Sequence, residues 1–156
     1  MRKIEGSESA KKREAMIIQV ASKSHSEWRL QYKAANGDKP RIKTTKDADF
    51  IKKNGIDQVD IAALDFVDLP SDWQKENRLG AEVAVDAVLV AVDARRKLDA
   101  AFIEEASAVC HVKWLERNSE WATETQKLPY VQLPEDEKEK DRFFVRAAIE
   151  AYDSFR

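Results

Sequence analysis

A chain of 156 residues can bury a core of its own without a metal or disulfide staple, and its single cysteine, Cys110, excludes an internal disulfide. Charged residues make up 36% of it, yet the formal net charge is −2, so the strongly basic balance of a nucleic-acid binder is absent. The longest apolar run, Ala81 to Val92, is interrupted by Glu82 and Asp86 and is too short to span a bilayer.

These features point to a cytoplasmic protein whose helices carry salt-bridged outer faces. The opening residues lead into Gly6-Ser7-Glu8-Ser9 rather than an apolar stretch, so no secretory signal is expected. Residues 1–9 read as a flexible tail, and 10–156 as a single domain.

The first helix is expected from about Ser9 to Ala35, with Ile17, Ala21, His25, Trp28 and Tyr32 on one face and Asn36-Gly37-Asp38 closing it. Pro40 to Thr45 is too short and polar to be more than an extended piece. Lys46 to Lys53 reads as a short helix stopped by Asn54-Gly55. Lysines and an arginine crowd Lys39 to Lys53, as a solvated loop or as a phosphate-binding one. Ile56 to Pro70 looks irregular, anchored by Val59, Ile61, Leu64 and Phe66.

A helix then starts at Pro70 and is expected to run through Ala81–Val92, apolar on nearly every side and buried, although Gly80 weakens it. Further helices are expected over Asp99–Asn118 and from Pro134 to about Phe155. Leu69 and Leu133, each just before a proline, suit a hydrophobic staple.

Two stretches match without a gap: Phe66 to Arg78 overlies Tyr130 to Arg142, sharing Val, Leu, Pro, Asp and Arg. Upstream of each stands a His-x-x-Trp, His25 to Trp28 and His111 to Trp114. Two motifs recurring in one order imply a duplicated unit. The expected fold is therefore all-α: two helix-pair repeats, about 16–95 and 99–156, packed about a pseudo-twofold axis with irregular connections.

Little in the residues specifies a reaction. His25 and His111 fall on inward faces, and each is read as a structural plug donating to a backbone carbonyl near its tryptophan. A catalytic role requires a nucleophile or acid partner that no spacing supplies. Two histidines and one cysteine give no metal-ligand cluster, and the acidic residues Asp57 to Asp72 lack the calcium-loop order. Cys110, in an apolar run, reads as an inert thiol. Trp28, Trp73, Trp114 and Trp121 with Arg78, Arg117 and Arg142 compose either core or a stacking slot for a base with guanidinium groups on phosphates. No catalytic residue, metal or cofactor is assigned.

The second repeat resembles the ryanodine-receptor (RyR) repeat domain. That family reads His-x-x-Trp, then Pro-Tyr-x-x-Leu-x-x-x-Glu-Lys-x-x-Asp-Arg. Pro129, Tyr130, Leu133, Glu137, Lys138, Asp141 and Arg142 fall in register. In the first repeat Phe66, Leu69 and Arg78 survive, while Trp73-Gln74 replaces the Glu-Lys pair. Where the family carries a Gly-Trp-x-Tyr-Gly turn, this chain has Glu120-Trp121. The layout is also similar to that of small bacterial and phage proteins.

The resemblance implies a non-enzymatic binding or regulatory module, with a small anionic or nucleotide-like ligand. Its implied contacts are Trp114, Tyr130 and Arg142, with Trp28, Phe66 and Arg78 as counterparts and Trp121 beside them. The alternative is a protein-interaction or structural protein, acting as a homodimer or on another protein, with no small-molecule ligand.

Overall fold

The computed structural model describes residues 2–156, with side chains from Glu8 onward. The order is α1 (Arg2–Asn36), β1 (Ile42–Thr44), α2 (Ala48–Asn54), β2 (Gln58–Asp60), a 3-10 turn (Phe66–Asp68), α3 (Ser71–Asp93), α4 (Ala100–Asn118), a second 3-10 turn (Tyr130–Gln132) and α5 (Glu135–Phe155). The protein is mainly helical, as expected. Among the described residues no helix is long and apolar enough to cross a membrane.

Helix α1 begins before the expected Ser9, in a stretch rich in the helix formers Lys, Arg, Glu and Ala. Met1 of the expected 1–9 tail lies outside the described residues. Gly37 closes α1 at φ 65°, a left-handed conformation that costs glycine nothing, and its N–H reaches Lys33 O at 2.8 Å. Asp47 caps α2 by accepting from the amides of Asp49 and Phe50, and Gly55 ends it at φ 72°.

Two departures occur in the connection. The extended piece β1 pairs antiparallel with β2, Lys43 opposite Val59, so the supposedly irregular Ile56–Pro70 begins as a strand. It then forms a 3-10 turn before the proline.

Contacts divide the chain into two compact units, one holding residues up to Val20 with Gly80–Arg156, the other Ala21–Leu79. These boundaries do not follow the repeats at 16–95 and 99–156. A repeat is set by sequence register, a compact unit by which faces meet.

In the first unit the core combines Met16, Ile17 and Val20 with Ala81, Ala84, Val85 and Val88 of α3 and Val145, Ala148 and Ala151 of α5. The Ala81–Val92 segment is helical but not buried all round. Only the face carrying residues 81, 84, 85, 88 and 91 is covered, Val90 is 68% exposed, and Asp86 pairs with Arg13 at 2.7 Å. Gly80 has a packing reason: a Cβ there would stand 3.0 Å from the ring of Phe144. In the second unit Ala21, His25, Val59, Ile61, Phe66 and Leu69 are buried.

Candidate functional site

The two repeats have the same local geometry at matching positions. A residue before proline is restricted to extended backbone. Accordingly Leu69 and Leu133 both lie near φ −67°, ψ 148° and end their 3-10 turns. Pro70 O then accepts from Trp73 N and Gln74 N, and Pro134 O from Glu137 N and Lys138 N, at 3.0–3.1 Å. Both leucines are buried.

Each imidazole is likewise committed. His25 Nε2 lies 2.8 Å from Leu64 O, and its ring stacks on Trp28 at 5.7 Å. His111 Nε2 lies 2.8 Å from Leu128 O, with Trp114 at 6.4 Å. A carbonyl can only accept, so Nε2 is the donor in both. Burial holds His25 below the usual imidazole value, against the raising effect of the Leu64 carbonyl. Trp28 also stacks on Tyr32 at 5.2 Å.

Around the matched arginines the repeats part company. Arg142 is only 13% exposed and grips Glu104 through Nε and Nη2, both at 2.7 Å, while Nη1 donates to Glu135 at 2.8 Å and Glu139 at 2.9 Å. Tyr130, buried in the turn, adds its hydroxyl to Glu104 at 3.2 Å. Glu104 and Glu135 are held below the usual carboxylate range chiefly by Arg142, and Glu139 by Arg146 and then Arg142. Of the expected ligand residues, Tyr130 and Arg142 therefore meet, but over a shared glutamate. Trp114 is engaged with His111, and Trp121 stands 81% exposed on the turn after α4.

In the first repeat's register the three glutamates become Ile18, Ser71 and Lys75, and Tyr130 becomes Phe66, which has no hydroxyl. Phe66 is buried, and half-buried Arg78 borders a cavity of about 460 Å³ with Lys46, Lys75, Gln74, Asp47 and Asp72. The two carboxylates there are occupied. Asp47 accepts from three backbone amides, including Ser71 N at 2.8 Å, which holds it below the usual range. Asp72 accepts from Thr45 Oγ1 at 2.7 Å and Lys46 N at 2.9 Å.

A second cavity, about 500 Å³, lies beside α1 between Lys33, Lys39 and Asp60. The guanidinium on its wall, Arg29, is bonded to Ala62 O and Asp65.

Sequence reasoning missed Glu104, and it placed Asp141 in the motif without giving it a role. Asp141, the acid of the Asp-Arg pair, lies 3.9 Å from His111 Nδ1, and burial raises its carboxyl to about 7. Neighbouring Cys110 is pushed up to about 12 by burial, which removes the thiolate that nucleophilic chemistry needs. Among the described residues no group of three or more His, Cys, Asp or Glu is placed to hold a metal ion. No family model, curated protein or solved structure matches the chain.

Proposed function

We propose that the chain is a non-enzymatic, RyR-like binding module in which the first repeat takes up a small anionic or nucleotide-like ligand at the Arg78 cavity. The observation carrying this reading is the cavity that Arg78 lines together with Lys46 and Lys75. Arg142 sits among three glutamates, whereas the matching sequence positions in the first repeat are Ile18, Ser71 and Lys75. A cavity of about 460 Å³ falls within the range of small-molecule sites. A reducing, cytoplasmic setting accords with a free thiol buried in the core.

The test is thermal unfolding with inorganic pyrophosphate and with nucleoside triphosphates. A ligand at a hundredfold its Kd adds about 2.7 kcal/mol. Arg78→Met and Lys75→Met must abolish the gain while Lys127→Met keeps it. If no anion shifts the transition, the reading is wrong.

A protein-interaction reading draws on one observation. Val67 and Val131, matched in the two 3-10 turns, are 66% and 76% exposed. A concentration-dependent oligomer lost on Val67→Ser with Val131→Ser favours it.

A further inference from the structure

The first repeat holds a segment that the second does without. His25 and Pro70 stand 45 positions apart, His111 and Pro134 only 23, and the extra length carries β1, α2 and β2. Insertions in a repeat gather on one face, which is often the binding face. Here the insertion walls the cavity of about 500 Å³ beside α1. The lining runs from Ser26 to Ala63, wholly inside the compact unit Ala21–Leu79.

Contacts to backbone fix these walls. On α1, Ser26, Arg29, Leu30 and Lys33 follow the spacing of one helical face. Arg29, its side chain 31% exposed, donates through Nε to Ala62 O at 3.0 Å and through Nη2 to Ala63 O at 3.4 Å, and pairs with Asp65. It thereby pins the stretch after β2 to α1. Gly37 N reaches Lys33 O at 2.8 Å and Tyr32 Oη reaches Pro40 O at 3.2 Å, which pin the turn carrying Asp38 and Lys39. In the second repeat Leu115 stands in the register of Arg29, so that pin is absent there.

The charges on the walls are of both signs. Arg29 is balanced by Asp65, whereas Lys33 and Lys39 have no carboxylate partner among the described residues. Asp60 Oδ1 accepts from Arg41 N at 2.9 Å and Ala62 N at 3.1 Å. Both donors are neutral, so the carboxylate keeps its charge, and Oδ2 has no bond among the described residues. The bond from Arg41 N also sets Asp60 beside the backbone that follows Lys39, which brings cation and carboxylate to one rim. Leu30, 66% exposed, adds an apolar surface with Ala62 and Ala63. A plain anion meets Asp38 and Asp60 here, and a plain cation meets Lys33 and Lys39. A molecule with both charges on one carbon and an apolar side chain suits every wall.

We infer that this cleft binds a free α-amino acid with an apolar side chain: carboxylate on Lys33 and Lys39, ammonium on Asp60, side chain against Leu30 and the two alanines. Peptides are disfavoured, since their terminal charges stand on different residues. The volume falls within the range of small-molecule sites. The site is separate from the Arg78 cavity and stands or falls without it.

The experiment is calorimetric titration of the full chain with L-leucine and L-phenylalanine up to about 10 mM, well into the range of weak binding. One-to-one binding of at least one is expected. Of whichever binds, the amide lacks the carboxylate and the N-acetyl derivative the ammonium. Each derivative must bind at least about tenfold more weakly, the weight of one charge-assisted hydrogen bond. Lys33→Met with Lys39→Met must bring the same loss, and both positions are exposed, so the fold is kept. Asp60→Asn must weaken binding likewise, its amide oxygen still accepting from Arg41 N and Ala62 N. Lys52→Met with Lys53→Met, in the same crowded stretch but outside the cavity, must change nothing. Binding of neither amino acid, or undiminished binding of either derivative, overturns the site on the wild-type chain alone. So does wild-type affinity in Lys33→Met with Lys39→Met.

Discussion

Replacing Arg142 by Met keeps the aliphatic stem and removes four hydrogen bonds to Glu104, Glu135 and Glu139. Their combined weight lies between two limits. An exposed ion pair contributes at most about 1 kcal/mol, and breaking a buried one costs about 3–5 kcal/mol. Arg142 is 13% exposed, but Glu104 and Glu139 are 45% and 49% exposed, so solvent screening pulls the value towards the lower limit. We expect a loss of about 2 kcal/mol, carried mainly by the bidentate grip on Glu104. In a chain of this size that lowers Tm by about 4–8 °C. A double-mutant cycle of Arg142→Met with Glu104→Gln measures the coupling directly.

The pH dependence has a definite sign. The glutamates are held below their ordinary values, so their contribution is full above about pH 4.3 and disappears as pH falls through the lowered values. Arg142→Met must flatten that acid limb. An Arg142→Met protein within about 0.5 kcal/mol of wild type, with no coupling to Glu104, would falsify the assignment of Arg142 to the fold.

Four further outcomes follow from single sites. Ser107 Oγ is fully buried with no hydrogen-bond partner, so Ser107→Ala should stabilise by about 1 kcal/mol in denaturant unfolding. Arg95 ends α3 at φ 57°, where a Cβ is strained, so Arg95→Gly should gain about 0.5–1 kcal/mol by the same assay. Cys110, buried with its thiol at about 12, should resist alkylation at neutral pH until the protein is unfolded, as read by mass spectrometry. His25 is depressed by burial, so its unfolded form binds a proton first. Exchange protection in residues 21–79 should therefore fall as pH drops below about 6.5, and His25→Gln should remove that fall.

Much of the helical layout was legible because its punctuation is local. Asn36-Gly37, Asn54-Gly55, Asp99 and the two Leu-Pro pairs act on neighbouring backbone, and each falls at an observed boundary. The β1–β2 ladder was not legible, since each strand is three residues long, too short for an alternation to stand out. The covered face of α3 was overread, because a run of Ala and Val looks equally buried on every side until a neighbour selects one. Within the site, the inward direction of His25 and His111 came from helical spacing, but their acceptors did not, because every residue has a carbonyl. That indifference bears on how the repeats diverged. A His-to-carbonyl bond requires one particular side chain and survives drift at Leu64 and Leu128. Arg142 needs carboxylates at three positions on two helices, and those positions now read Ile18, Ser71 and Lys75 in the first repeat. Backbone-directed contacts therefore match between the two repeats, whereas the carboxylate partners of Arg142 have no acidic counterpart at the matching positions.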